Sequence, residues 1–282
     1  MTDDPIRPLE PADIPAACRL MAESFPRRDV PYFERGFERL AAAPAVPGHG
    51  RYGYVIDDGG IRGAALAIPS LHDYGHRRQA FVNISTWCVA ESHRGPLAKA
   101  LYDRAGSDPA AVNTNLSAAR HTLRTLDRLG FRPWTTGQFL ALAARGGARA
   151  AVRDHAARGA PDLPAHHAGT LEDHAGLGCL TPVMEGADGP VPLVLLPRRI
   201  ARVVPVAQVI YCERRADLAR HGRALLGWVR RRGYAGLLID ADGPVDGFRG
   251  RFFPGKAAKY VRGARPDYDV EHTYSEMVRL GF

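Results

Sequence analysis

Val82-Asn83-Ile84-Ser85-Thr86-Trp87-Cys88-Val89 is a β-branched, apolar run that reads as a strand. It leads through Glu91-Ser92-His93-Arg94-Gly95 into a helical pattern from Pro96 to Ala105. Ala111-Val112-Asn113-Thr114-Asn115-Leu116 is a second strand, and the helix after it closes on Asp127-Arg128-Leu129-Gly130-Phe131-Arg132-Pro133-Trp134. The Arg94-Gly95 turn opens the first helix. Such a helix start offers unpaired backbone N–H groups and the positive end of a dipole, a physical site for a pyrophosphate.

This strand, turn, helix, strand, helix order with its closing Gly130-Phe131 resembles the cofactor-binding core of the GNAT acyltransferase superfamily, whose members use acyl-CoA. The resemblance implies an α/β (α+β) fold. It also implies acetyl-CoA or another acyl-CoA as co-substrate, with no metal. Backbone groups of Trp87, Cys88 and Val89 are expected to meet the pantetheine arm. Arg94, Gly95, Leu97 and Ala98 are expected to meet the pyrophosphate, although Pro96 has no N–H to give. Asn115, at the carboxyl end of the second strand, is a further candidate for holding cofactor or substrate. Two departures from the family pattern stand out. Leu97 or Ala98 occupies the place of a later glycine, and Leu126 occupies the place where many members carry a Tyr that protonates the departing thiolate.

Working outward, Ile6 to Leu9 reads as a strand, and helices follow from Pro11 to Glu23 and from Val30 to Ala42. The second helix places Tyr32, Phe33, Phe37 and Leu40 on one face. Strands at 52–56 and 61–68 are joined by the Asp57-Asp58-Gly59-Gly60 turn. Phe139 to Leu142 is the last strand of this half. A seam rich in Ala, Arg, Gly and Pro follows, with a helix expected over 148–157.

The second half runs strand, turn, strand from Cys179 to Leu196, with its turn at Ala187-Asp188-Gly189. Then come a strand at 203–211, a helix at 217–231 closed by Gly233, and a strand at 236–240. The alternation resembles the degenerate second domain of tandem GNAT-like proteins. The expected organisation is therefore two tandem GNAT-like domains, 1–145 and 169–282, around a linker at 146–168. Each would be a mixed twisted sheet flanked by helices. Glu213-Arg214-Arg215 has no glycine at the matching strand–helix junction, so only the first half is expected to own a cofactor cleft.

Acyl transfer to an amine needs a group that takes a proton and a way for sulfur to leave. The candidates for the proton-transfer roles are Glu91, His93, His121 and Tyr102. Buried free thiols are expected at Cys18, Cys88, Cys179 and Cys212, which lack metal-site spacing. His72 and His76, and His166-His167 with His174, also fall short of a metal-ligand set. Residues 249–262 interleave Phe252, Phe253 and Tyr260 with five cations; a loop whose aromatics pack is expected, with single-stranded nucleic-acid binding or a wall of the acceptor pocket as the alternatives.

The chain of 282 residues carries a net charge of +8, which favours anionic partners: CoA phosphates first, with nucleic acid left open. No apolar run reaches the length of a membrane helix, and the acidic start lacks a signal peptide's features. The expected setting is cytoplasmic, with a small-molecule acceptor and no membrane partner. The competing class is an inactive GNAT-like binding or scaffold protein, possibly for a polyanion. Acceptor identity, acyl length, N- or O-transfer and oligomeric state are not legible in the sequence.

Overall fold

The computed structural model describes residues 4–142, 152–186 and 189–281. The first half is built from β1 (Ile6–Pro8), α1 (Ile14–Ser24), α2 (Val30–Ala41), β2 (Gly53–Asp57), β3 (Ile61–Asp73), β4 (Arg78–Val89), α3 (Pro96–Ala105), β5 (Val112–Asn115), α4 (Leu123–Arg128) and β6 (Arg132–Leu142). The remainder comprises β7 (Val152–Asp154), α5 (Ala165–Gly176), β8 (Pro182–Gly186), β9 (Gly189–Pro192), β10 (Val194–Ile200), β11 (Val204–Cys212), α6 (Arg215–Arg231), β12 (Gly236–Ala241), β13 (Gly250–Arg262), β14 (Val270–Glu271) and α7 (Glu276–Arg279).

Local chemistry sets the main elements. Asp29 caps α2, its side chain accepting from the Tyr32 N–H at 3.0 Å. Phe33, Gly36, Phe37 and Leu40 then repeat at helical spacing and form the buried face. Alternation sorts β3: Ala65 and Ala67 join the core under α3, whereas Ala64, Leu66 and Ile68 join the core under α1 and α2. The helix α6 lays Leu218, Leu225, Leu226 and Val229 on β11 and β12, and Gly233, at φ 87°, lets the chain leave it.

One eleven-stranded mixed sheet runs through both halves in the order β1-β2-β3-β4-β5-β13-β6-β12-β11-β10, with β14 on β11. A separate three-stranded sheet holds β7, β8 and β9. The α/β class expected from the sequence stands. The expectation of one sheet per half gives way to a shared sheet, because β13 from the second half fills the gap between β5 and β6. Its Tyr260, Val261 and Arg262 pair antiparallel with Asn115, Thr114 and Asn113 on one side, and its other edge pairs with β6. On the far side of β6, Phe139 pairs with Ile239 of β12. A core containing Phe81, Val112, Val194, Ile210, Val261 and Met277 joins the halves beneath this sheet.

Two local expectations change with it. Residues 249–262 are a strand and not a loop, since β5 and β6 leave unpaired backbone edges that β13 satisfies. The helix expected over 148–157 begins outside the described residues, and its described part is β7 and a turn, with Val152 paired to Met184. Ala187 and Asp188 of the expected turn, and residues 146–151 of the expected linker, also lie outside the described residues.

Candidate functional site

The parallel pairing of β4 with β5 covers only Phe81↔Val112, Val82↔Asn113 and Asn83↔Thr114. Beyond Asn83 the two strands separate. A bulge in β4 widens the gap: Ala64 and Leu66 of β3 face Cys88 and Ser85, leaving an extra residue on β4, and Thr86 takes φ 48°. The bulge changes the phase of the strand. Val82 and Ile84 face the α3 side before it, and Trp87 packs with that same core after it.

Beside this end of β4 lies a cleft of about 920 Å³. Its strand wall is Trp87, Cys88 and Val89, and its helix wall begins with Arg94, Gly95, Pro96 and Ala98. The end of α1 contributes Glu23, Ser24 and Phe25. Helix α4 and the turn before it contribute His121, Thr122, Thr125 and Arg128. Among the described residues that line it, Arg94, Lys99 and Arg128 supply positive charge against the one carboxylate of Glu23. Gly95 stands at φ 95° as the residue before α3, and a Cβ there would meet nothing within 4 Å. No side chain caps this helix, so its leading N–H groups are available to a ligand. The Nε1 of Trp87 is buried without a hydrogen-bond partner among the described residues. The arrangement suits an elongated ligand with a polar arm along β4 and negative charge at the start of α3.

The cleft brings together Trp87, Cys88, Val89, Arg94, Gly95, Ala98 and His121 from the sequence-derived set. The others sit elsewhere. Leu97 packs against the core under α3. Asn115 is buried and donates from Nδ2 to the Tyr102 hydroxyl at 2.7 Å, while its Oδ1 has no partner among the described residues. Tyr102 is a core residue, 1% exposed, with its ring edge-on to Trp87 at 5.0 Å. Burial pushes its phenol up, which makes it a poor proton carrier near neutrality. His93 does not line the cleft; its Nε2 lies 3.0 Å from the Asp58 carboxylate and its Nδ1 2.8 Å from the Ser92 hydroxyl. Glu91 is exposed outside the cleft wall.

Cys88 faces the cleft edge, but burial pushes its thiol up to about 12, so it is protonated and a weak nucleophile at neutral pH. All four cysteines are free and buried. Leu126 is 1% exposed and packs with the core under α3, so it lies outside the cleft wall. Among the described residues no His, Cys, Asp and Glu side chains gather as a metal-ligand set. No described helix is long and apolar enough to cross a membrane.

Sequence reasoning missed Glu23 to Phe25 and Thr122 to Arg128 as cleft residues. The Phe25-Pro26 helix stop was visible, but the return of that helix end to β4 depends on tertiary packing. It also missed a buried polar group around Asp240, which accepts from Gln138 at 3.0 Å and Gln208 at 2.9 Å, with Lys259 Nζ 3.9 Å away.

No family model matches the sequence, and the curated proteins offer no match. Solved structures do. One similar structure is a GCN5-related N-acetyltransferase from Anabaena variabilis ATCC 29413, at 12% identity and TM-score 0.56, covering 91% of this chain and 72% of that one. Another is a conserved protein of unknown function from Enterococcus faecalis V583, named as a probable N-acyltransferase. It matches at 11% identity and TM-score 0.52, with the same 91% and 72% coverage. Together with the splayed β4–β5 pair, the bulge and the glycine-led α3, these likenesses give this chain the fold of the GNAT superfamily.

Proposed function

We propose that the protein is an acyltransferase that takes an acyl group from acyl-CoA and passes it to a small-molecule amine. The observation that carries this reading is the cleft along the end of β4, which reaches the uncapped, glycine-led start of α3 beside Arg94 and Lys99. Phosphates of CoA meet the helix start and those cations. Trp87 to Val89 offer backbone groups to the pantetheine arm. The N–H missing at Pro96 leaves the charge of Arg94 and Lys99 to carry more of the phosphate binding.

The wall formed by Glu23, Ser24 and Phe25 belongs to the same face as α2, and an acceptor entering past α1 and α2 reaches the thioester from across the sheet. Direct attack is favoured over a covalent intermediate, because the cysteine at the cleft is held protonated. On this reading the chain divides into a cofactor-binding unit, 1–145, and a degenerate unit, 169–282, that lends β13 and α7 to the first. The acceptor is the free choice of the site, and the setting we propose is cytoplasmic.

Titration calorimetry with CoA and acetyl-CoA tests the reading. Micromolar to submillimolar binding that weakens with salt is the expected result. Binding of neither at millimolar ligand would remove the basis for the transferase reading.

A further inference from the structure

Glu276 begins α7 and is fully buried, yet neither of its carboxylate oxygens has a hydrogen-bond partner among the described residues. A buried, unpartnered carboxylate is costly, on the order of several kcal/mol when charged. Its position is fixed from behind. The Glu276 backbone N–H donates to Asn83 Oδ1 at 2.9 Å, and the Asn83 Nδ2 is 3.2 Å from the Thr114 hydroxyl. Asn83 and Thr114 are the last pair before β4 and β5 separate. The carboxyl therefore sits at the apex of the splay. It is on the sheet face opposite α3, since Val82 and Ile84 on either side of Asn83 face α3.

The groups coupled to it come from five places. Ser117, exposed just after β5, lies beside the carboxyl, and Lys259 of β13 and Arg198 of β10 act on it through charge. Glu276 in turn acts through charge on Tyr32 of α2 and, across the sheet, on Tyr102 of α3. Burial wins over these cations and the Ser117 hydroxyl, and raises the carboxyl to about 7. A proton acceptor of that strength matches neutral operation. Ser117 opens the loop whose far end, His121 and Thr122, lines the cleft. On α2, Tyr32 stacks edge-on with Phe33 at 5.2 Å, and Phe33 lies 6.3 Å from Phe25 of the cleft wall.

We propose that Glu276 is the proton acceptor of the transfer, reached through the hydroxyl of Ser117. This rests on the acyltransferase reading and adds its missing base. The neutral acceptor amine attacks the thioester carbonyl carbon; the N–C bond forms, the C–S bond breaks, and the electron pair leaves with sulfur. The nitrogen's proton passes to the Ser117 oxygen as the Ser117 proton passes to a Glu276 oxygen. Glu276 then returns its proton through solvent to the thiolate, so atoms and charge balance.

The test uses the full chain with acetyl-CoA as donor and n-butylamine as probe amine. In protein labelled with carboxyl-¹³C glutamate, the resonance missing from Glu276→Gln is expected to titrate near 7, as the structure places it. Thiol release should show a limb at the same pH. Glu276→Gln should lose that limb and about 10²-fold in rate, and the exposed Ser117→Ala should lose about 10-fold or more. Both should keep their acetyl-CoA affinity by calorimetry. The proposal is overturned if the resonance titrates in the ordinary carboxylate range, or if Glu276→Gln keeps rate and limb. It is overturned too if the wild type binds acetyl-CoA but releases no thiol above background. A wild type that binds no acetyl-CoA overturns the acyltransferase reading as well, and calorimetry separates that failure from failure of the relay alone.

Discussion

Lys259 Nζ donates to the carbonyl oxygen of Leu116 at 2.7 Å, tying β13 of the second half to the end of β5. Lys259 is only 2% exposed, and its charge offsets the burial of Asp240, whose carboxyl is held down at about 2 despite full burial. Lys259→Met should therefore cost about 3–5 kcal/mol, because it leaves a buried carboxylate without its cation. Urea denaturation reads this directly. A loss below about 1 kcal/mol would mean that Gln138, Gln208 and His272, whose Nδ1 lies 3.3 Å from the carboxylate, suffice to hold Asp240.

Glu276 also predicts a pH-dependent stability. Its folded value, about 7, lies above its ordinary 4.5, so the folded state holds a proton that the unfolded chain releases between those values. Stability from this group is full at acid pH and falls as pH rises through 7. His167 and His174, each lowered by burial to about 4, act oppositely and remove stability as pH falls below their ordinary 6.5. The difference between wild type and Glu276→Gln isolates the carboxyl. The variant should be the more stable by about 3 kcal/mol above pH 7, with the gap closing towards pH 4.5. A gap that does not change with pH would contradict this.

Leu126→Tyr should not restore a general acid. The side chain is fully packed under α3, so the larger ring overfills the core and should cost about 1–3 kcal/mol. Thermal melts measure the loss. An unchanged melting temperature with faster transfer would place residue 126 in the cleft after all.

Gly95→Ala separates conformation from crowding. The new methyl has open space, but φ 95° is a conformation that L side chains rarely adopt. The expected cost is about 1–3 kcal/mol, together with weaker acetyl-CoA binding as the start of α3 shifts. Equal stability and affinity would show that the turn needs no glycine.

Much of the first half was legible because its signals are local. The Asp57 to Gly60 turn, the apolar face of α2, the Arg94-Gly95 helix start and the Gly130-Phe131 close each follow from residue chemistry within a few positions. The insertion of β13 was not legible, since Val261 pairs with Thr114 across a sequence distance that no local pattern records. The same limit hid half of the site. Trp87 to Val89 and Arg94 to Ala98 were readable as strand and turn, but Phe25 and Thr125 reach the cleft only through packing. His93 and Glu91 looked suited to proton transfer because they adjoin the helix start, yet His93 turns to Asp58 and Ser92. Glu276, 193 residues from Asn83 in the chain, reaches it only because α7 folds back against β4.

The central claim is that the cleft beside α3 holds an acyl-CoA through its phosphates. Calorimetry of acetyl-CoA binding to Arg94→Glu tests it most directly, because the exchange places an anion at the helix start where phosphate is expected. The side chain is exposed, so the fold should survive. The predicted result is a loss of about 10-fold or more in affinity, larger at low salt than at high salt. A folded Arg94→Glu protein that binds acetyl-CoA as the wild type does, at every salt concentration, would contradict the placement.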